Sequence, residues 1–385
     1  MKQDIKSMLP VELEECFKTF GEKPYRAWQV FSWLHKGVKS FDEMTDLSLS
    51  LREKLDELFF ISALNMINKQ VSIDGTVKYL WFNEAESAVI SSCCAASRNQ
   101  TRSIAQHDDT TADSVFNTAD SVTTSDSVAN YSTFESVIME YKHGNTICVS
   151  SQVGCKMGCL FCASSIGGFI RNLAASEMLD QVLFSSEDSG KRISNIVLMG
   201  MGEPLDNFDN VIRFIELIRE PKGLNIGARH ITLSTCGLPE HIDKLTEYGV
   251  QLSLAISLHA PDDDTRFMLM PMSRSTGIRA LLEAADRYFE KTGRRVTYEY
   301  AMIDSINDGT EHAEMLAQLL KNTCSHVNLI LLSKVPGSAF LPSKKENINK
   351  FAEILKQNDI SFTTRRSLGS DIDAACGQLR RRNNN

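Results

Sequence analysis

Six strand–helix repeats between residues 146 and 357 predict an α/β chain, a partial (βα)6 barrel of the TIM type. Two further observations complete the prediction. A small helical module precedes the repeats, and a Ser/Thr-rich insertion interrupts the chain between them. The 385 residues exceed one average domain but suit a large barrel with an accessory module. Hydrophobic residues make up 42% and charged residues 23%, ordinary values for a globular chain. No apolar run has the length of a transmembrane helix, and MKQDIKSMLP is no signal peptide. A cytoplasmic protein without membrane contact, read as a monomer, is therefore expected. The net charge of −8 argues against a protein coated in nucleic acid but permits a local basic site.

Residues 1–64 form the helical module. Val11–Phe20 is amphipathic, Pro24 opens a second helix carrying Trp28, Phe31 and Leu34, and Leu47–Phe60 supplies a third. Residues 65–145 are the strand extension. Within it, Val71 and Ile73, an Asp74-Gly75 turn, then Val77, Tyr79 and Trp81 predict a hairpin. From Ser97 to Thr133 there is no Leu, Met, Lys, Gly or Pro, and 14 of 37 residues are Ser or Thr. Such a stretch buries too little apolar surface to offset its ordering entropy, so an insertion spanning about 85–133 reads as a disordered linker. Phe134–Tyr141 resumes a strand pattern.

The barrel covers residues 146–366. Its predicted strands are Thr146–Ser150, Asn195–Met199, His230–Ser234, Leu252–Ser257, Val296–Ile303 and Val327–Leu332. Helices follow near 175–187, 207–219, 239–248, 277–291, 310–322 and 346–357. Residues 367–385 form a C-terminal loop and basic tail. In such barrels the chemistry sits in loops after the strand C-termini.

The loop after the first barrel strand holds Cys155, Cys159 and Cys162. Three close thiolates can hold three irons of a cubane [4Fe–4S] cluster and leave the fourth open. A structural zinc would want a fourth ligand, and no Cys or His lies nearby to supply it. Gly158 lets the loop turn, and Phe161 can shield the site from water. After the second strand comes GMGEP, in which Gly202 permits close backbone approach and Glu203 suits an ammonium group. Ser234, Ser257, Leu258 and His259 end the third and fourth strands, where they suit a ligand's ribose or carboxylate or cap the following helices.

The cysteine triplet resembles that of the radical S-adenosylmethionine enzymes. There the open iron binds the cofactor's amino and carboxylate groups, and reduction releases a 5′-deoxyadenosyl radical. CVSSQVGC at 148–155, GMGEP at 200–204, ARHITLSTCG at 228–237, AISLHAP at 255–261, NDGTEHAE at 307–314 and DIDAACGQL at 371–379 narrow the resemblance to the RlmN family. The resemblance covers nearly all of residues 135–379, and the helical module fits that family's accessory RNA-binding domain.

It implies methylation of C2 of adenine in 23S rRNA, at position 2503, and of adenine 37 in certain tRNAs. It implies one cluster per chain and two S-adenosylmethionine molecules per turnover. It also implies an electron donor such as flavodoxin or ferredoxin. By resemblance, Cys376 is methylated and carries the group to the base, Cys148 resolves the adduct and leaves a disulfide, and Glu135 is the general base. The chain departs at NLILLS, where Ser333 replaces the family's Asn beside the cofactor. The rivals are a Cfr-type C8 methyltransferase, against which Pro204 speaks, and a non-catalytic RNA-binding paralogue, against which intact Cys148, Cys376 and Glu135 speak. Cys16, Cys93, Cys94, Cys236 and Cys324 receive no role. Arg171, Lys191-Arg192, Arg294-Arg295, Lys344-Lys345, Arg365-Arg366 and Arg380-Arg381-Arg382 are candidate RNA contacts.

Overall fold

Three helices open the chain: α1 (Pro10–Thr19), α2 (Pro24–Leu34) and α3 (Leu49–Leu58). This computed structural model describes residues 2–83, 132–142, 144–335 and 337–379. Prolines at the first helical positions of α1 and α2 set the entry, because those N–H groups would lack a partner anyway. Leu13, Phe17, Val30, Phe31, Leu34, Leu51 and Leu55 are buried at helical spacing. The third helix stops before the predicted Phe60. Phe59–Phe60 instead pairs in parallel with Gln3–Asp4. Lys6 ties the module to the barrel: its Nζ is 2.8 Å from Asp180 Oδ1 and 2.6 Å from Ser62 O, all buried.

The main sheet has ten strands in strictly sequential order. They are β1 (Asn65–Val71), β2 (Val77–Phe82), β3 (Phe134–Tyr141), β4 (Gly144–Cys148), β5 (Ile193–Leu198), β6 (Ile231–Thr235), β7 (Ser253–Ser257), β8 (Val296–Met302), β9 (Ser325–Leu331) and β10 (Phe362–Arg365). Strands β1–β4 pair antiparallel, and β4–β10 pair in parallel. The crossover helices are α4 (Ala175–Ser189), α5 (Phe208–Arg219), α6 (Pro239–Tyr248), α7 (Asp263–Leu269), α8 (Ile278–Thr292), α9 (Thr310–Leu319) and α10 (Lys345–Gln357). Sequential order with helical crossovers curls the sheet into an open barrel.

Four expectations change. A seventh parallel strand, β10, extends the barrel beyond the six predicted. Helix α7 was not anticipated between β7 and α8. The hairpin turn is the five-residue Ser72–Thr76, closed by Ser72 N–H donating to Thr76 O, so Ile73 lies in the turn and is 99% exposed. Ser132 and Thr133 are buried, so the linker stretch ends before them. The rest of that stretch, Cys93, Cys94 and the 380–382 arginines lie outside the described residues.

Barrel strands alternate faces. Ile147, Ile196, Leu233, Ile256, Tyr298 and Leu329 are buried on the outer face under the helices. Thr146, Val197, Thr232, Ser253, Thr297, Asn328 and Thr363 line an interior cavity of ≈ 680 Å³. The interior is polar and open rather than filled with layered aliphatic side chains.

Candidate active site

At the C-terminal ends of the strands lies a cavity of ≈ 160 Å³. Cys155, Cys159, Cys162, Gly202, Glu203, Ser234, Ser257, His259 and Cys376 all line it. Residues more than 200 positions apart in sequence thus converge.

The cysteine loop is pinned at its base, where Gln152–Val153 pairs with Arg171–Asn172. Gly158 has φ +70, the left-handed turn expected of it. Phe161 is buried, edge-on to the His259 ring with centroids 4.9 Å apart. Burial pushes the Cys155 thiol up to about 12 and raises Cys159 and Cys162 as well. These thiols need a bound cation to ionise. Among the described residues, no three His, Cys, Asp or Glu side chains converge as a site for a single ion. A second observation fits a polynuclear anion here. The Arg266 side chain is fully buried beside Cys159, and its Nε and Nη1 have no hydrogen-bond partner.

In GMGEP the glycine serves the scaffold. Gly202 has φ +99, and a Cβ there would meet Gln152 Cβ at 2.5 Å. Glu203 is buried and already engaged: Oε1 accepts from Leu205 N–H at 3.0 Å and Oε2 from Cys236 N–H at 2.7 Å. Burial raises its pKa, with those bonds opposing. Neither Ser234 nor Ser257 caps a helix, since Asp262 caps α7 and α6 begins without a side-chain cap. The His259 Nδ1 accepts from Ala301 N–H at 3.0 Å, which leaves Nε2 carrying the proton. Burial, then Arg266, lowers this histidine to about 3, so it is neutral near pH 7. Leu258 turns into the core, and only its backbone N–H serves locally, donating to Glu299 O at 3.1 Å. Ser333 does not line the cavity. Its hydroxyl lies 3.2 Å from that of Ser367, and Leu332 takes the lining place.

Cys376 also borders a neighbouring cavity of ≈ 40 Å³, and Cys148 lines that one. All eight described cysteines are free thiols, Cys148 and Cys376 included. Burial pushes Cys148 up to about 12, with Cys376 adding to the rise. Cys376 is exposed at the cavity mouth, yet desolvation by the surrounding loops raises its thiol, and the Arg365 guanidinium draws it back. The Cys376 loop is tied down on several sides rather than loose. Gly377 O accepts from Ala163 N–H at 2.7 Å, Leu379 O from the Ser164 hydroxyl at 2.7 Å, and Asp373 O from Lys78 Nζ at 3.0 Å. The hairpin turn joins in, since Asp74 Oδ2 accepts from Gly369 N–H at 2.9 Å. Glu135 sits on the same face of β3 as Met139 and Tyr141, which line the smaller cavity. Its carboxylate is buried 3.5 Å from Lys78 Nζ and is not among the lining residues of either cavity.

Several lining residues escaped the sequence reading. Arg365, read as an RNA contact, lies inside the barrel on β10, its Nη1 3.5 Å from Glu299 Oε2. Arg171, another such candidate, grips Glu177 through two bonds of 2.7 and 2.8 Å. Cys236 lines the cofactor-sized cavity. Alternation along the strands would have flagged Glu299 as interior, but β10 carried too short a pattern to place Arg365.

The profile of the Radical SAM superfamily matches residues 149–320, the stretch that holds the three-cysteine loop and most of the barrel. Fold and site therefore define a radical SAM enzyme. The profile of the ribosomal RNA large subunit methyltransferase N-terminal domain matches residues 4–61. A probable dual-specificity RNA methyltransferase RlmN from Alkaliphilus metalliredigens is 44% identical over 382 residues, covering 99% of this chain and 96% of the relative. One from Desulforamulus reducens is also 44% identical, over 99% and 97%. The crystal structure of a radical SAM methyltransferase from Sphaerobacter thermophilus superposes with a TM-score of 0.83 at 37% identity, over 99% of this chain and all of that one. The chain belongs to the RlmN family. Among the described residues, no helix is long and apolar enough to cross a membrane.

Proposed function

We propose that this enzyme methylates C2 of adenine in 23S rRNA, and of adenine in tRNA, through a methyl group carried on Cys376. One observation carries the reading: Cys376 borders both the cavity of Cys155, Cys159 and Cys162 and the smaller cavity of Cys148. A thiol so placed faces a cofactor on one side and a resolving thiol on the other. Cys155, Cys159 and Cys162 would hold one [4Fe–4S] cluster, and Gly202, Glu203, Ser234, Ser257 and His259 would surround S-adenosylmethionine. When bound, that pair would supply hydrogen-atom abstraction from the methyl group on Cys376, because an unactivated aromatic carbon is too poor a nucleophile for polar methyl transfer and calls for radical addition.

The chain's own residues do the rest. His259, neutral and donating through Nε2, orients a ligand oxygen without adding charge. Arg365 faces Cys376 and favours its thiolate, the form that accepts a methyl group. Cys148 would attack the Cys376 sulfur, release the methylated base and form a disulfide with it. Glu135 would take the C2 proton, with Lys78 linking that carboxylate to the Cys376 loop through Asp373 O. A flavodoxin or ferredoxin would supply electrons.

The test is anaerobic reconstitution of the full chain, then incubation with rRNA fragments or tRNA and labelled S-adenosylmethionine. Mass spectrometry should locate the methyl group on C2. A methyl on C8, or none with a fully loaded enzyme, overturns the reading.

A further inference from the structure

Arg266 poses an unbalanced charge. It is among the largest fully buried side chains, at 0% exposure. Nη2 donates to Cys236 O at 2.6 Å and lies 3.4 Å from Ser257 O. Nε and Nη1 have no partner, and no carboxylate lies within ion-pair distance among the described residues. Asp263, an acid whose charge acts on Arg266, accepts from Ile278 N–H of α8 at 2.8 Å. Glu203 spends both oxygens on backbone N–H groups. Burying a cation without a carboxylate partner is costly, which favours an anion at this point.

The surroundings identify the anion. Helix α7, which carries Arg266, bonds directly to the cysteine loop, where Leu160 N–H donates to Leu269 O at 3.0 Å. Leu160 lies between Cys159 and Cys162. Leu269 and Met270 pack with Met157 and Phe161 of the same loop, which keeps water away.

We propose that Arg266 is the counter-cation of the iron–sulfur cluster at its Cys159 corner, where it favours the reduced state. The proposal rests on reading Cys155, Cys159 and Cys162 as cluster ligands. A [4Fe–4S] core with three thiolates carries one net negative charge, and a second after reduction. A fixed guanidinium in a dry site interacts more strongly with the second than the first. Arg266 touches no reacting atom in this picture, so it is a positioning residue.

The experiment compares wild type, Arg266→Gln and Arg266→Lys as full chains, reconstituted anaerobically without S-adenosylmethionine. Iron and sulfide are counted, and the cluster is titrated by electron paramagnetic resonance against a redox buffer. At fixed poise the ratio of reduced to oxidised cluster should fall at least about tenfold in Arg266→Gln, about 59 mV for one electron. Arg266→Lys should stay within about twofold. An unchanged potential in Arg266→Gln overturns the proposal. So does a shift equally large in Arg266→Lys. If Arg266→Gln takes up no iron, the metal-free chains decide. Removing an uncompensated buried cation should leave thermal stability equal or higher, whereas a clear drop means that Arg266 only holds the fold. Failure of the wild type to take up iron and sulfide would sink the cluster reading instead.

Discussion

Asn307 is a buried tie to the loop that carries His259. Its side chain is fully buried. Nδ2 donates to His259 O and Ala301 O, both at 2.7 Å, and Oδ1 accepts from Ile303 N–H at 2.8 Å. It thus staples the loop after β7 to the end of β8 and holds His259 at φ +58, which a non-glycine residue rarely adopts. Asn307→Ala leaves three buried backbone groups unpaired. At about 1–3 kcal/mol each, with some relaxation, the loss is about 3–6 kcal/mol. That corresponds to a fall in melting temperature on the order of 10 °C. Release of His259 should also weaken S-adenosylmethionine binding by at least about tenfold, about 1.4 kcal/mol. Asn307→Asp should be worse than Ala, because a carboxylate would face two carbonyl oxygens. Urea unfolding and calorimetric titration of the ligand provide the readouts. A cost below about 1 kcal/mol for Ala, or an Asp variant as stable as wild type, would refute the staple.

Cys148→Ala should trap the enzyme on its RNA, since methyl transfer to Cys376 and addition to the base precede the step that needs the second thiol; a nuclease-sensitive adduct on a denaturing gel is expected, absent in Cys376→Ala. Normal turnover without adduct would remove the resolving role. Gly202→Ala should cost about 2–4 kcal/mol, because its Cβ would meet Gln152 Cβ at 2.5 Å in a left-handed residue, and thermal unfolding checks it. Burial lowers His35 from 6.5 to about 4, so its stability contribution is complete above pH 6.5 and declines as pH falls toward 4. Over that window His35→Gln should flatten the loss by about 3 kcal/mol, read from urea midpoints, and an unchanged slope counts against it.

Local information was enough for much of the molecule. The three cysteines lie within eight residues of one loop, so their convergence needs no knowledge of the fold. Six of the crossover helices fall on the predicted stretches, and α6 spans the predicted 239–248. Alternation along β4 places Cys148 in phase with Thr146 on the inner face, where it lines a cavity with Cys376.

The tertiary structure decided the rest, because burial reverses what a residue type does in water. Arg365 reads as an RNA contact in sequence and nothing there marks Arg266, yet the four-residue β10 and the seven-residue α7 carry them inside. Elements that short leave no readable period. Glu203 suggested an open carboxylate, but its oxygens are taken by backbone N–H groups from two loops. Ser333 was aligned by its neighbours in sequence, but its hydroxyl lies beside that of Ser367 and Leu332 lines the cavity instead. Where a side chain's partners are 30 to 300 residues away, only the closed barrel determines whether its charge is compensated, and hence what chemistry it can support.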